Sequence, residues 1–167
     1  NAPMLVGGGV SALAPGRFAT AAHLKEVSSL FDAVGGVLTV AESQLDAVTA
    51  VSGSGPAYFF LLVEALVDAG VDAGLTRSVA TDLVVQTMAG SAAMLLERLD
   101  QAAPNGDTAM GLTVDTSAAQ LRATVTSPGG TTAAGLRELE RGGLRAAVAN
   151  AVQAAKTRSE QLGITSE

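Results

Sequence analysis

The sequence predicts a mainly α-helical protein, preceded over residues 1–42 by a strand–helix–strand unit that reads as the remnant of a doubly wound α/β domain. Three observations carry this. Short apolar runs bounded by glycines end near Val40, and after Glu42 the apolar spacing is that of helices alone. The chain is 48% hydrophobic but only 3% aromatic, so it must bury area through closely packed small-residue helices. Glycine and proline fall between the periodic segments, at Pro56, 70–74, 128–130, 142–143 and Gly163.

In the first unit, Met4-Leu5-Val6 and Val10-Ser11-Ala12-Leu13 read as apolar strand segments on either side of Gly7-Gly8-Gly9, with a turn at Pro15-Gly16. Residues 19–34 are helical in pattern, with Leu24, Val27, Leu30 and Phe31 on one stripe. Gly35-Gly36 is expected to end that helix, and Val37-Leu38-Thr39-Val40 to form a short buried strand. A pair of strands and one helix is marginal in water by itself. The first residue is Asn and not Met, so Asn1 is expected to be an internal position of a longer protein.

The helical part, residues 43–167, begins with a short helix over 43–51. Ser54 is expected to cap the next helix, 57–69, with Pro56 in its first turn, where a missing N–H costs nothing. That helix is apolar nearly all round except for Glu64 and Asp68, which share one face and read as a solvated strip. Residues 70–74 turn the chain, and Thr76 opens a long helix to about Arg98, with Ala80, Leu83, Val84, Met88, Ala92 and Leu95 facing inward. Gly90 inside it costs about 1 kcal/mol against alanine, which predicts close approach of another helix. The polar stretch 100–114 reads as an exposed loop. A short helix then delivers the chain to Ser127, a helix runs 131–141, and a last one ends at Gly163 as a C-cap.

Charge and residue usage exclude several classes of function. A net charge of −6 leaves no basic stripe for nucleic acid. With no cysteine and only His23, there is no thiolate site and no set of zinc ligands. The longest apolar run, 57–63, ends at Glu64, far short of the roughly 20 residues that cross a bilayer. His23 and Tyr58 read as a surface-helix and a core-helix residue.

The segment with chemistry in it is Val125-Thr126-Ser127-Pro128-Gly129-Gly130-Thr131-Thr132. Pro128 fixes one backbone angle, and the two glycines remove side chains that would hold a ligand off the main chain. Thr131 and Thr132 open a helix whose first N–H groups lack internal partners and lie at the positive end of its dipole, a setting for a carboxylate. A threonine hydroxyl there can both donate and accept. By pattern alone the same stretch is a turn and helix cap.

This segment, continued through Gly142-Gly143 to Gly163, resembles the signature of the pyrroline-5-carboxylate reductases, which reduce a cyclic imine with NAD(P)H in the last step of proline synthesis. Two other stretches match in order. Asn1-Ala2-Pro3 resembles part of that family's Met-Pro-Asn-Thr-Pro loop, and Asp46-Ala47-Val48-Thr49 with Ser52-Gly53-Ser54-Gly55-Pro56-Ala57-Tyr58 resembles its second glycine-rich run. The resemblance implies a Rossmann-type remnant over 1–42 and a helical dimerisation and substrate domain over 43–167. It implies NADPH or NADH as cofactor, a cytoplasmic enzyme, and a homodimer extended to a decamer of dimers. The substrate carboxylate would meet Ser127 and the N–H groups of Gly129, Gly130 and Thr131, with the Thr132 hydroxyl near the ring nitrogen as the catalytic group. Asp115 falls where relatives carry an acid near the substrate, though an exposed loop acid is the alternative. Asn1 and Pro3 would lie beside the nicotinamide.

Most of the cofactor's own fold is not matched: Gly7-Gly8-Gly9 lacks the G-x-G-x-x-G spacing and a following helix. This predicts that the 167 residues alone do not bind NADPH. Another two-domain dehydrogenase or imine reductase is the second enzyme reading. The hydroxyacid class uses a lysine on its domain-linking helix, and the lysines here, Lys25 and Lys156, are not near residues 54–68. A helical assembly module without catalysis is the non-enzyme reading.

Overall fold

The structure, a computed structural model, describes residues 2–102 and 117–164. Asn1, Asp115 and most of the 100–114 loop lie outside the described residues. The chain divides into two compact units, one of Asn1–Leu61 with Arg145–Glu167, the other of Leu62–Leu144.

In the first unit, strands β1 (Gly9–Leu13) and β2 (Gly35–Thr39) pair in parallel, in register from Gly9↔Gly35 to Leu13↔Thr39. Helix α1 (Ala21–Phe31) joins them, so the strand–helix–strand order holds, but β2 is not the buried strand expected over 37–40: Leu38 is 48% exposed, because a two-stranded sheet with one helix covers little of its surface. Thr20 caps α1 by accepting from the His23 N–H at 3.3 Å, while His23 Nδ1 accepts from the Thr20 N–H, also at 3.3 Å. His23 is thus an exposed capping residue.

Two boundaries differ from the sequence expectation. Residues Ala2–Val6 form a 3₁₀ turn and not a strand segment. Pro3 has no N–H to give to a ladder. The Gly7 and Gly8 N–H groups instead fold back on the Met4 and Pro3 carbonyls at 3.1 and 3.0 Å. Gly35 and Gly36 do not end α1 but start β2, because Asp32–Val34 closes the helix with a 3₁₀ turn.

The short helix expected over 43–51 is longer and irregular: a 3₁₀ turn (Glu42–Gln44), α2 (Leu45–Val48), then a π-helical turn (Thr49–Gly53). Ser54 is itself helical at φ −84°, ψ −19°, not the extended geometry of an N-cap. Its N–H closes the π turn on the Thr49 carbonyl at 2.9 Å. Helix α3 (Gly55–Asp72) follows directly. Ala50 is fully buried, and the Tyr58 hydroxyl donates to its carbonyl at 3.2 Å. The last helix, α7 (Leu144–Ile164), is tied to α2 where Ser159 Oγ donates to Asp46 Oδ1 at 2.6 Å. Gly163 lies inside α7 and does not terminate it.

In the second unit, α3 ends in a turn at Gly74, φ +102°, where the Leu75 N–H meets the Gly70 carbonyl at 3.0 Å. Thr76 caps α4 (Arg77–Ala102) through the Val79 N–H at 3.3 Å, as expected. The close helix approach occurs at Gly70, where an added Cβ would sit 3.1 Å from the Ala80 Cβ. Val67 and Ala80 are the buried pair beside this turn. Gly90, expected to be the approached glycine, has no described atom within 4 Å of an added Cβ. The Glu64/Asp68 strip is exposed, and Asp68 pairs with Arg77 at 2.7 Å across the turn. Of the expected inner face of α4, Val84, Met88 and Leu95 are half-buried, while Leu83 and Ala92 are exposed.

Helical stretches Glu42–Asp72 and Arg77–Leu99 are, by length and composition, long and apolar enough to cross a membrane. Counting unbroken apolar residues stops at Glu64 and misses this. The core helix of a soluble protein meets the same criterion.

Candidate functional site

Helix α5 (Ser117–Thr124) leads into the glycine-rich segment, and Thr126 fixes its exit. The Thr126 hydroxyl donates to the Arg122 carbonyl at 2.6 Å and its N–H to the Ala123 carbonyl at 3.2 Å. The next four residues close a β-turn, with the Gly130 N–H donating to the Ser127 carbonyl at 3.0 Å. Pro128 takes the second position and Gly129 the third at φ +71°, which is the type II pattern.

The two glycines therefore meet different constraints. Gly129 has open space around an added Cβ but a backbone angle that L side chains resist. Gly130 has an ordinary φ of −78°, but a Cβ there would lie 3.2 Å from the Ser127 carbonyl oxygen. Neither is explained by a described neighbour other than the turn itself.

Gly130 is the N-cap of α6 (Thr131–Arg141) and has no side chain to satisfy the helix start. The first intrahelical bond runs from the Ala134 N–H to the Gly130 carbonyl at 3.1 Å. The amides of Thr131, Thr132 and Ala133 come before it and find no backbone acceptor among the described residues. The Gly130 N–H is committed to the turn, so of the three donors expected from sequence, Gly129, Gly130 and Thr131, only Thr131 belongs to the free set Thr131, Thr132 and Ala133 at the helix start. Ala133 is the residue that sequence reasoning missed, although it is the third position of the helix and could have been counted. Ser127, Thr131 and Thr132 are exposed. The first turn of α6 carries no acid, and the Glu138–Arg141 pair at 3.2 Å lies in its last turn, so the positive end of the dipole faces solvent unopposed by a neighbouring carboxylate in that turn.

The remaining expected site residues are placed separately. Pro3 is half-buried in the 3₁₀ turn, with Leu5 and Val6 almost fully exposed beside it, giving an apolar surface on which a flat ring could rest. Gly7–Gly9 runs into a strand and not a helix, so no phosphate-binding turn of the dinucleotide type occurs there. The residues present suit the nicotinamide end of a dinucleotide and not its phosphates. Asp115 and Asn1 are outside the described residues. Lys156, on α7, is held above the ordinary lysine pKa, first by its hydrogen bond with the Glu160 carboxylate and then by that group's charge. An open depression of about 280 Å³ lined by Met94, Glu97, Arg98 and Leu121 shares no residue with the motif.

The family model for pyrroline-5-carboxylate reductase dimerisation matches residues 42–162. The chain belongs to this family. It is 76% identical to a pyrroline-5-carboxylate reductase of Mycobacterium tuberculosis over 169 residues, covering all of this chain and 57% of that protein. Among solved structures, a pyrroline-5-carboxylate reductase from Coxiella burnetii is 37% identical with a TM-score of 0.84, covering 97% of this chain and 54% of the other. A Plasmodium falciparum pyrroline carboxylate reductase solved with NADP bound is 36% identical with a TM-score of 0.78, covering 98% and 59%. The chain thus spans a little over half the length of its reductase relatives.

Proposed function

We propose that these 167 residues are the assembly and substrate-binding part, with the tail of the dinucleotide-binding part, of a soluble cytoplasmic enzyme that reduces 1-pyrroline-5-carboxylate to L-proline with NADPH or NADH. The domain boundary is put at 42/43. The observation that carries the reading is the start of α6: three amides without internal acceptors, flanked by the exposed hydroxyls of Ser127, Thr131 and Thr132. Such a helix start, with no acid in its first turn, binds a carboxylate through charge and direction together.

With its carboxylate on the amides of Thr131, Thr132 and Ala133 and on the Ser127 hydroxyl, the cyclic imine is held in one orientation. The Thr132 hydroxyl donates toward the ring nitrogen and favours the polarised C=N bond. The cofactor, when bound, would supply the hydride for the imine carbon; the C=N π pair goes to the nitrogen, which takes a proton from water through the Thr132 hydroxyl. The chain's own work is positioning, which needs neither a metal nor a histidine base. Pro3 and the neighbouring apolar turn would rest against the nicotinamide. Asp115 and Asn1 remain candidates by resemblance alone.

The test is Thr132→Ala in a full-length enzyme carrying these residues. Losing one donor that matters most in the transition state costs on the order of 1–3 kcal/mol, roughly ten- to a hundred-fold in rate. Thr132→Ser should keep more activity, since its hydroxyl survives. Wild-type kcat and KM in Thr132→Ala would leave the motif as a turn and cap only.

A second reading, a helical module that assembles but does not catalyse, draws on α3 and α4. Phe59, Phe60, Leu61 and Leu66 on α3, with Leu83 on α4, are each about half exposed or more. We read these faces as belonging to a homodimer, carried further into a decamer of dimers, and not to a lipid phase or nucleic acid. Acids and an ion pair interrupt the apolar surface at Glu64, Asp68 and Arg77. The two readings are compatible, since assembly and substrate binding occupy different helices.

A further inference from the structure

The place where β1 and β2 meet is closed to any side chain. At Gly35, φ is +149°, a conformation that L residues rarely adopt. A Cβ built there would overlap the Gly9 carbonyl and lie 2.6 Å from the Gly9 nitrogen. Gly9 is buried, and a Cβ on it would overlap the Met4 side chain and stand 2.9 Å from the Val34 carbonyl oxygen. The two glycines are register partners. Gly36, one residue on, has no described atom within 4 Å of an added Cβ. The crowding is therefore specific to one pair and is not a general property of this glycine-rich sheet.

What rests on the pair is the turn Ala2–Val6. Met4 packs on Gly9, and the turn is held to the strand start by the Gly7 and Gly8 amides on the Met4 and Pro3 carbonyls. Leu5 and Val6, at 91% and 86% exposure, contribute no burial that could hold the turn in place. Besides its contact with the Asp32–Val34 turn, its position depends through Met4 on how closely Gly9 lies to Gly35.

We infer that Gly35, through Gly9 and Met4, is a positioning residue for the Pro3 turn, and so for the nicotinamide end of the cofactor. This rests on the proposal that Pro3 lies beside that ring. A methyl at Gly35 forces Gly9 away, Met4 follows, and the Pro3 turn leaves its place while the rest of the dinucleotide site, built from other residues, is untouched.

The experiment compares Gly35→Ala with Gly36→Ala in the full-length enzyme. Hydrogen exchange at the Gly7 and Gly8 amides reads the turn directly. Gly35→Ala should speed it at least about tenfold, with the amides of α6 unchanged, and Gly36→Ala should leave it as in wild type. Binding is then measured for NADPH and for an adenosine diphosphate ribose that lacks the nicotinamide. Gly35→Ala should lower kcat/KM for NADPH by about ten- to a hundred-fold, the scale of a misplaced reacting group. Affinity for the nicotinamide-free compound should stay the same. Unchanged exchange at Gly7 and Gly8 would overturn the inference, as would equal loss of both ligands, which marks general unfolding. Faster exchange with unaltered NADPH kinetics would instead refute the reading of Pro3 as a cofactor contact. Pro3→Ala with normal NADPH kinetics would refute that contact independently.

Discussion

Replacing Gly129 by alanine isolates one physical term, because the site offers no steric complication. An added Cβ at Gly129 meets nothing within 4 Å, so the whole effect comes from holding an L residue at φ +71°. A left-handed conformation costs an alanine roughly 1–2 kcal/mol. For a chain of this length, each kcal/mol lowers the midpoint of thermal unfolding by about 2–4 °C, so Gly129→Ala should lose about 2–8 °C. Asparagine tolerates this region better than alanine, and Gly129→Asn should lose clearly less. Gly130→Ala is the internal control. Its φ of −78° suits any residue, and its added Cβ at 3.2 Å from the Ser127 oxygen asks for a shift of only a few tenths of an ångström. Unfolding should be followed by circular dichroism at one fixed protein concentration, because assembly makes the midpoint depend on it. The order expected is wild type, Gly130→Ala and Gly129→Asn above Gly129→Ala. If Gly129→Ala melts with the wild type, or Asn costs as much as Ala, the positive φ carries no strain and the type II turn is wrong. If the turn does deliver substrate to α6, Gly129→Ala should also raise KM for pyrroline-5-carboxylate in the full-length enzyme.

Further outcomes can be stated for assembly, cofactor and internal bracing. Sedimentation at micromolar concentration should give a dimer, since α3 leaves Phe59, Phe60 and Leu61 at about 60% exposure; a stable monomer contradicts the interface reading. Calorimetry with the 167-residue chain should detect no NADPH binding, and a low-micromolar dissociation constant would show that the phosphates need no turn beyond those described. Ser159→Ala removes the 2.6 Å hydrogen bond to Asp46 and should cost about 1 kcal/mol or somewhat more, because the acceptor is an acid in a part-buried setting. No change in stability would mean that water replaces the hydroxyl without loss.

The sequence by itself determined the parts that depend on local chemistry. Pro128 and Gly129 in successive positions dictate a type II turn here, and the apolar spacing after Thr131 dictates the helix that follows, whose limits agree with the expectation from sequence. Thr76 as a cap and the change from strands to helices after Val40 were legible for the same reason: each depends on residues within one turn of itself. The tertiary structure decided what depends on distant partners. Apolar Met4-Leu5-Val6 has the composition of a strand, but the Pro3 and Gly7 constraints and the packing of Met4 on Gly9 make it a turn. Gly35-Gly36 has the look of a helix stop and is a strand start, because only the pairing with Gly9 shows why a side chain is forbidden. Close helix approach was expected at Gly90 and occurs at Gly70, since spacing along one helix cannot say which of its glycines faces a neighbour. The Asp46–Ser159 bond joins residues 113 apart, a contact that no local pattern encodes. Turns and caps are written in the sequence because their energies are local. Which surfaces meet is settled only when the chain closes on itself, because burial is a property of the neighbours and not of the residue.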